Sequence, residues 1–120
     1  MNSHAAAARE LYGDQHDLVD CVIHAKETEA LSNKMKALLN IAGKVQQSGK
    51  AVTQDDVDEA RKQGADDREI HDTVLIAATF SMFNRYVDGL ASLTPTDQKE
   101  YAAMGKRMAT LGYVLPQQPQ

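Results

Sequence analysis

Tryptophan is absent from this chain of 120 residues, phenylalanine occurs twice and tyrosine four times. A core with so few rings has to be aliphatic, filled out with methionine and alanine. One cysteine, Cys21, excludes a disulfide within the chain and fits a reducing, cytoplasmic setting. Strand formers are scarce and period-two alternation is missing, so the chain reads as all-α. No more than two Lys or Arg stand together, and the formal net charge is −4. Nucleic acid and anionic membranes therefore find little to bind. The opening MNSHAAAARELYG has neither the basic start nor the apolar core of a secretory leader. A glycine-rich phosphate loop, a nucleophile elbow and a mixed basic-aromatic run are all missing.

What is present centres on Asp66 to Leu90. Asp66 reads as an N-cap, with Glu69 three residues on to reach back to it, and Ala65 and Ile70 flank the cap as a hydrophobic staple. From Val74 to Phe83 no residue is charged, and apolar residues go round the whole helix. Such a helix has to be covered on every side. It is too short for a bilayer, because ten residues rise ~15 Å against a hydrocarbon core of ~30 Å.

Taken in order, Ser3 to Leu11 reads as an alanine-rich helix closed by Gly13. Asp14 is placed to cap a second helix, with Asp17 at its third position and Leu18, Val19, Val22 and Ile23 as its apolar stripe. Glu27-Thr28-Glu29 is a polar connector. Ser32 caps a third helix, Asn33 to about Gln47, with Met35, Leu38, Leu39, Ala42 and Val45 as its apolar face. Thr53 caps a fourth, with Asp56 completing the box and Val52 and Val57 as the staple, and Gly64 stops it. After the central helix, residues 93–96 form a turn. A last helix runs from about Asp97 to Leu111, with Tyr101, Met104, Met108 and Leu111 on one face and Gly112 as its C′ residue. The length suits one helical domain over residues 1–114, followed by a polar tail over 115–120.

Few residues suggest chemistry. His16, Asp20 and His24 share one face at i, i+4, i+8, but a metal needs a further ligand, and this face reads as solvated. Cys21, at the edge of its stripe, has no second thiol and no evident neighbour to activate it, so it reads as a bystander. His71 reads as a hydrogen-bonded helix-start histidine. Asn84, Arg85 and Asp88 read as a polar clasp that also suits an oligomer interface. No cofactor and no metal site is expected.

The segment IHDTVLIAATFSMFNRYVDGLAS (Ile70 to Ser92), with KMKALLNIAGKVQQSGKAVTQDDVDEARKQGADD before it and YAAMGKRMATLGY after it, resembles the carboxymuconolactone decarboxylase superfamily. The likeness is closest to the AhpD-like, alkylhydroperoxidase-related branch. It implies an all-α fold of antiparallel helices assembled as dimers, trimers or hexamers. It also implies thiol-dependent peroxide reduction by a C-x-x-C-x-x-x-H motif, helped by an upstream glutamate. Ser3-His4-Ala5-Ala6-Ala7-Ala8 resembles the end of that motif and sets His4 at its histidine. Both cysteines and the glutamate would then fall ahead of Met1, so the chain looks like the family with its catalytic N-terminal part absent. A wrong start, a shortened fragment and a natural loss are the three explanations. Cys21 matches neither motif cysteine.

These readings predict an oxidoreductase of the peroxidase-related, antioxidant type, taking a small-molecule peroxide only if the cysteine pair is supplied. The alternative is a non-catalytic oligomerisation or binding scaffold; a muconolactone-type decarboxylase ranks third. The expected partner is a second copy, as homodimer or larger oligomer. The helix around Phe80, Phe83 and Tyr86, or the first helix, would close the contact, since a small domain with an apolar helix lacks cover of its own.

Overall fold

The computed structural model describes residues 2–26 and 29–114. Glu27, Thr28 and the expected polar tail lie outside these. Among the described residues there are six α-helices: α1 (Asn2–Tyr12), α2 (Asp17–Ile23), α3 (Asn33–Gln47), α4 (Gln54–Lys62), α5 (Asp67–Gly89) and α6 (Gln98–Leu111). Short 3-10 turns at Gly13–Gln15 and Gly49–Ala51 precede α2 and α4. No strand occurs among the described residues, as the all-α reading requires. The described residues divide into two compact units, one made of residues 2–26 and 93–114, the other of residues 29–92.

The second unit is built by its caps. Ser32 accepts from the Met35 amide at the start of α3. Thr53 and Asp56 complete a reciprocal capping box on α4, and Asp66 and Glu69 complete one on α5. Each box satisfies two amides that the first turn would otherwise leave unpaired. Gly64, with φ +93, takes the left-handed conformation that lets the chain leave α4 and enter α5 within a few residues. The core of the unit is Leu38, Ile41 and Val45 of α3 against Ala60, Ala65 and Ile70, with Val52, Val57 and Ala77 packed at its margin. Ile41 is fully covered. The face read from the sequence was therefore rotated: Ile41 belongs to the centre, while Met35 is 41% exposed.

Two ion pairs brace this core. Lys44 of α3 bonds both carboxylate oxygens of Asp56. That ammonium, followed by the Thr53 amide, holds the Asp56 carboxyl well below the usual range. Lys34 bonds Glu69, and with the Asp66 amide it likewise lowers the Glu69 pKa. The same carboxylates thus cap one helix and tie it to another.

α5 meets α3 through one face only. Ile70 and Ser81 are its buried residues, while Leu75, Ile76, Met82 and Phe83 are each more than half exposed. Within its own unit α5 is therefore covered on one side only.

In the first unit, α1 packs on α6 because both are narrow where they meet. Ala6, Ala7 and Gly105 are buried. A Cβ added at Gly105 would stand 2.5 Å from the Ala6 backbone and side chain, so no larger residue fits there. Tyr101, Met104 and Met108 are half-buried on α6, whereas Leu111 is 62% exposed and lies off the face expected for it. Asp97 caps α6 by accepting from the Lys99 amide. α2 starts later than the sequence suggested: Gly13–Gln15 is a 3-10 turn, and His16 stands at the cap position with no side-chain bond to the helix. Asp14 does not cap it. No helix among the described residues is long and apolar enough to cross a membrane.

Candidate functional site

His4 lies in the first turns of α1, half-buried, at the end of the alanine run that brings α1 against α6. Its Nε2 is 2.8 Å from the hydroxyl of Tyr113, and the ring centroids are 6.0 Å apart with planes tilted by 39°. Its Nδ1 is 3.4 Å from the Ser3 hydroxyl. Tyr113 reaches this position because Gly112 ends α6 at φ +65, a turn that a residue with a side chain adopts only at a cost. Burial lowers the His4 pKa, which favours the neutral imidazole. A neutral imidazole has one N–H donor and one acceptor nitrogen, and both hydroxyls serve in either role. Two tautomers satisfy the pair: Tyr113 donates to Nε2 while Nδ1–H donates to Ser3, or both bonds run the other way. The group so held is suited to taking up a proton and giving it back.

The sequence singled out His4 by resemblance but gave no sign of Tyr113, which is 109 residues away. No local pattern marks a contact between one end of the chain and the other.

The His16, Asp20, His24 face differs from its expected form. Asp20 is not simply solvated: the Arg9 guanidinium of α1 bonds its carboxylate, and this bond chiefly lowers its pKa. Val22, assigned to the apolar stripe, is 40% exposed, while Val19 is buried. His16 and His24 stand at the two cap positions of α2, outside its regular turns. Among the described residues no group of three or more His, Cys, Asp or Glu side chains is placed to hold a metal. Cys21 is a free, half-buried thiol on α2. An open hollow beside Arg9, Glu10, Gly13 and His16 is a surface depression with no enclosed wall.

His71 is exposed and bonds Asp72 at 3.0 Å in the first turns of α5, the helix-start histidine anticipated from its position. Asn84, Arg85 and Asp88 do not form a clasp. All three are exposed, and the Arg85 guanidinium instead donates to the Gln46 carbonyl at the end of α3, at 3.5 Å.

Set beside known proteins, the chain matches no family model, no curated protein and no solved structure.

Proposed function

We propose that the chain is the antiparallel helical body of an alkylhydroperoxidase-related protein of the carboxymuconolactone decarboxylase superfamily, serving thiol-dependent peroxide reduction. His4 is the group that moves the proton. In this chemistry a thiolate attacks the peroxide oxygen, and the departing alkoxide takes a proton. The resulting sulfenic acid condenses with a second thiol, forming a disulfide and releasing water. A dithiol reductant then restores the thiols. His4 takes the proton from the attacking thiol and returns it to the alkoxide.

One observation supports this reading above the others. The residue aligned with the motif histidine is a half-buried imidazole with a partner at each ring nitrogen, and burial lowers its pKa. The two sulfurs the reaction needs are not within these 120 residues, which contain only Cys21.

A second reading, a non-catalytic oligomerisation or binding scaffold, draws on that single thiol and on the open apolar side of α5. Peroxide consumption with a dithiol reductant separates the two. The 120-residue chain alone is expected to consume no peroxide beyond the reductant blank. The same chain with a Cys-x-x-Cys placed ahead of His4 in the motif spacing is expected to turn over. An extended chain that remains inactive while folded would favour the scaffold.

A further inference from the structure

The hydroxyl of Tyr113 and Nε2 of His4 are 2.8 Å apart, and both residues belong to the first compact unit. Distance alone leaves open which of the two gives the hydrogen. The chemistry of the groups decides it. A phenol, with a pKa of about 10, is a far stronger hydrogen donor than the N–H of a neutral imidazole. The bare imidazole nitrogen, with a pKa of about 6.5, is a far better acceptor than a phenol oxygen, whose lone pair is drawn into its ring. The stronger bond runs from Tyr113 to His4. We propose that Tyr113 is a positioning residue: its hydroxyl donates to Nε2 of His4 and fixes the ring as the Nδ1–H tautomer. This deepens the proton-transfer role proposed for His4 and rests on that reading for its meaning in catalysis.

The other ring nitrogen agrees. Nδ1 lies 3.4 Å from the Ser3 hydroxyl. An Nδ1–H can donate to that oxygen, but the bond is long and weak beside the one at Nε2. Of the two partners, Tyr113 therefore sets the tautomer.

The phenol is aimed by its neighbours in the chain. Gly112, with φ +65 and ψ −144, turns the backbone off the end of α6 immediately before Tyr113. Immediately after it, the Val114 carbonyl accepts from the Arg107 guanidinium of α6 at 3.1 Å. At the other end of the bond, α1 is seated on α6 where Ala6 meets Gly105. Donor and acceptor are thus anchored to the same pair of helices, which keeps the geometry of their bond.

The assignment says which nitrogen works. Nδ1 already carries a hydrogen, so the nitrogen that takes up a proton is Nε2. On uptake the bond reverses. Nε2–H donates, the phenol oxygen accepts, and the phenol hydrogen turns outward. The imidazole has gained one proton and the phenol still has one. The same two atoms hold the base in both charge states, with no movement of the ring.

The test is 15N NMR of the 120-residue chain with labelled histidine at about pH 8.5, where ordinary imidazoles are neutral and ordinary phenols keep their proton. The signals of His4, one of four histidines, are those missing from His4→Ala. Nδ1 is expected to show the shift of a protonated ring nitrogen and Nε2 that of a bare one. The ratio of tautomers is expected to be about fivefold or more, the effect of one hydrogen bond. Tyr113→Phe is expected to return the ring to the Nε2–H form that free histidine prefers, with the helical signal kept. Ser3→Ala is expected to leave the ratio as in the parent. An Nε2–H ring in the parent chain overturns the proposal. So does an Nδ1–H ring that survives Tyr113→Phe, or one that is lost in Ser3→Ala. No thiol and no peroxide enter this measurement, so its failure is distinct from a failure of the peroxidase reading, which turnover of the chain with the cysteine pair decides.

Discussion

Gly105 of α6 lies so close to Ala6 of α1 that a single added methyl group would stand 2.5 Å from the Ala6 backbone carbon. This contact decides how α1, and His4 with it, is held. A glycine inside a helix costs about 1 kcal/mol relative to alanine, and here the close approach is what compensates.

Gly105→Ala is therefore expected to destabilise the protein by about 1–3 kcal/mol, the usual cost of overpacking, despite alanine's better helix propensity. Urea unfolding followed by circular dichroism measures it. A variant as stable as the parent, or more so, would show that α1 and α6 are not in close contact.

Ile41 is the residue with no exposed surface at the centre of the second unit. Ile41→Ala is expected to cost about 2–5 kcal/mol and Ile41→Val about 0.5–1.5 kcal/mol. A smaller loss on truncation to alanine would place the core elsewhere.

These two residues also show which parts of the fold the sequence discloses. Caps and staples are local: Thr53 with Asp56 and Asp66 with Glu69 are three residues apart, and both boxes form as read. The apolar face of α3 was harder to read, because Leu38, Leu39, Ile41, Ala42 and Val45 spread over nearly half of the helix circumference. Packing by α4 and α5 then selects Leu38, Ile41 and Val45. Contacts between distant segments leave no periodic trace. The fit of Gly105 to Ala6, the Arg9–Asp20 pair and the Tyr113 hydroxyl on His4 all arise that way. Of the candidate site, His4 was singled out by a resemblance alone, while its Tyr113 partner left no sign in the sequence.

Acid should loosen the second unit. Asp56 and Glu69 have folded pKa values below their ordinary 3.8 and 4.5, held there chiefly by Lys44 and Lys34. A depressed carboxylate contributes stability that is present above its unfolded pKa and is lost as pH falls through the folded one. Urea midpoints should therefore hold above about pH 5 and fall between about pH 5 and pH 2. Lys44→Met, which removes the main cause for Asp56, should flatten part of that fall. A midpoint that rises on acidification would contradict the assignment.

Cys21→Ser is expected to leave the helical content unchanged and stability within about 1 kcal/mol, as for a half-buried side chain outside the main core. It should also leave peroxide consumption unchanged. If the chain alone reduces peroxide and this substitution abolishes it, Cys21 is a redox residue, and a Cys21 pair between copies becomes the site.

The most direct measurement is kcat/KM for peroxide, with a dithiol reductant, of the chain carrying Cys-x-x-Cys ahead of His4, compared with its His4→Ala and Tyr113→Phe forms. Loss of a positioned acid–base group costs about 10²–10⁴-fold. His4→Ala is expected to fall in that range, and Tyr113→Phe, which removes the 2.8 Å bond to Nε2, is expected to lose less. A His4→Ala form as fast as its parent would contradict the assignment of proton transfer to His4.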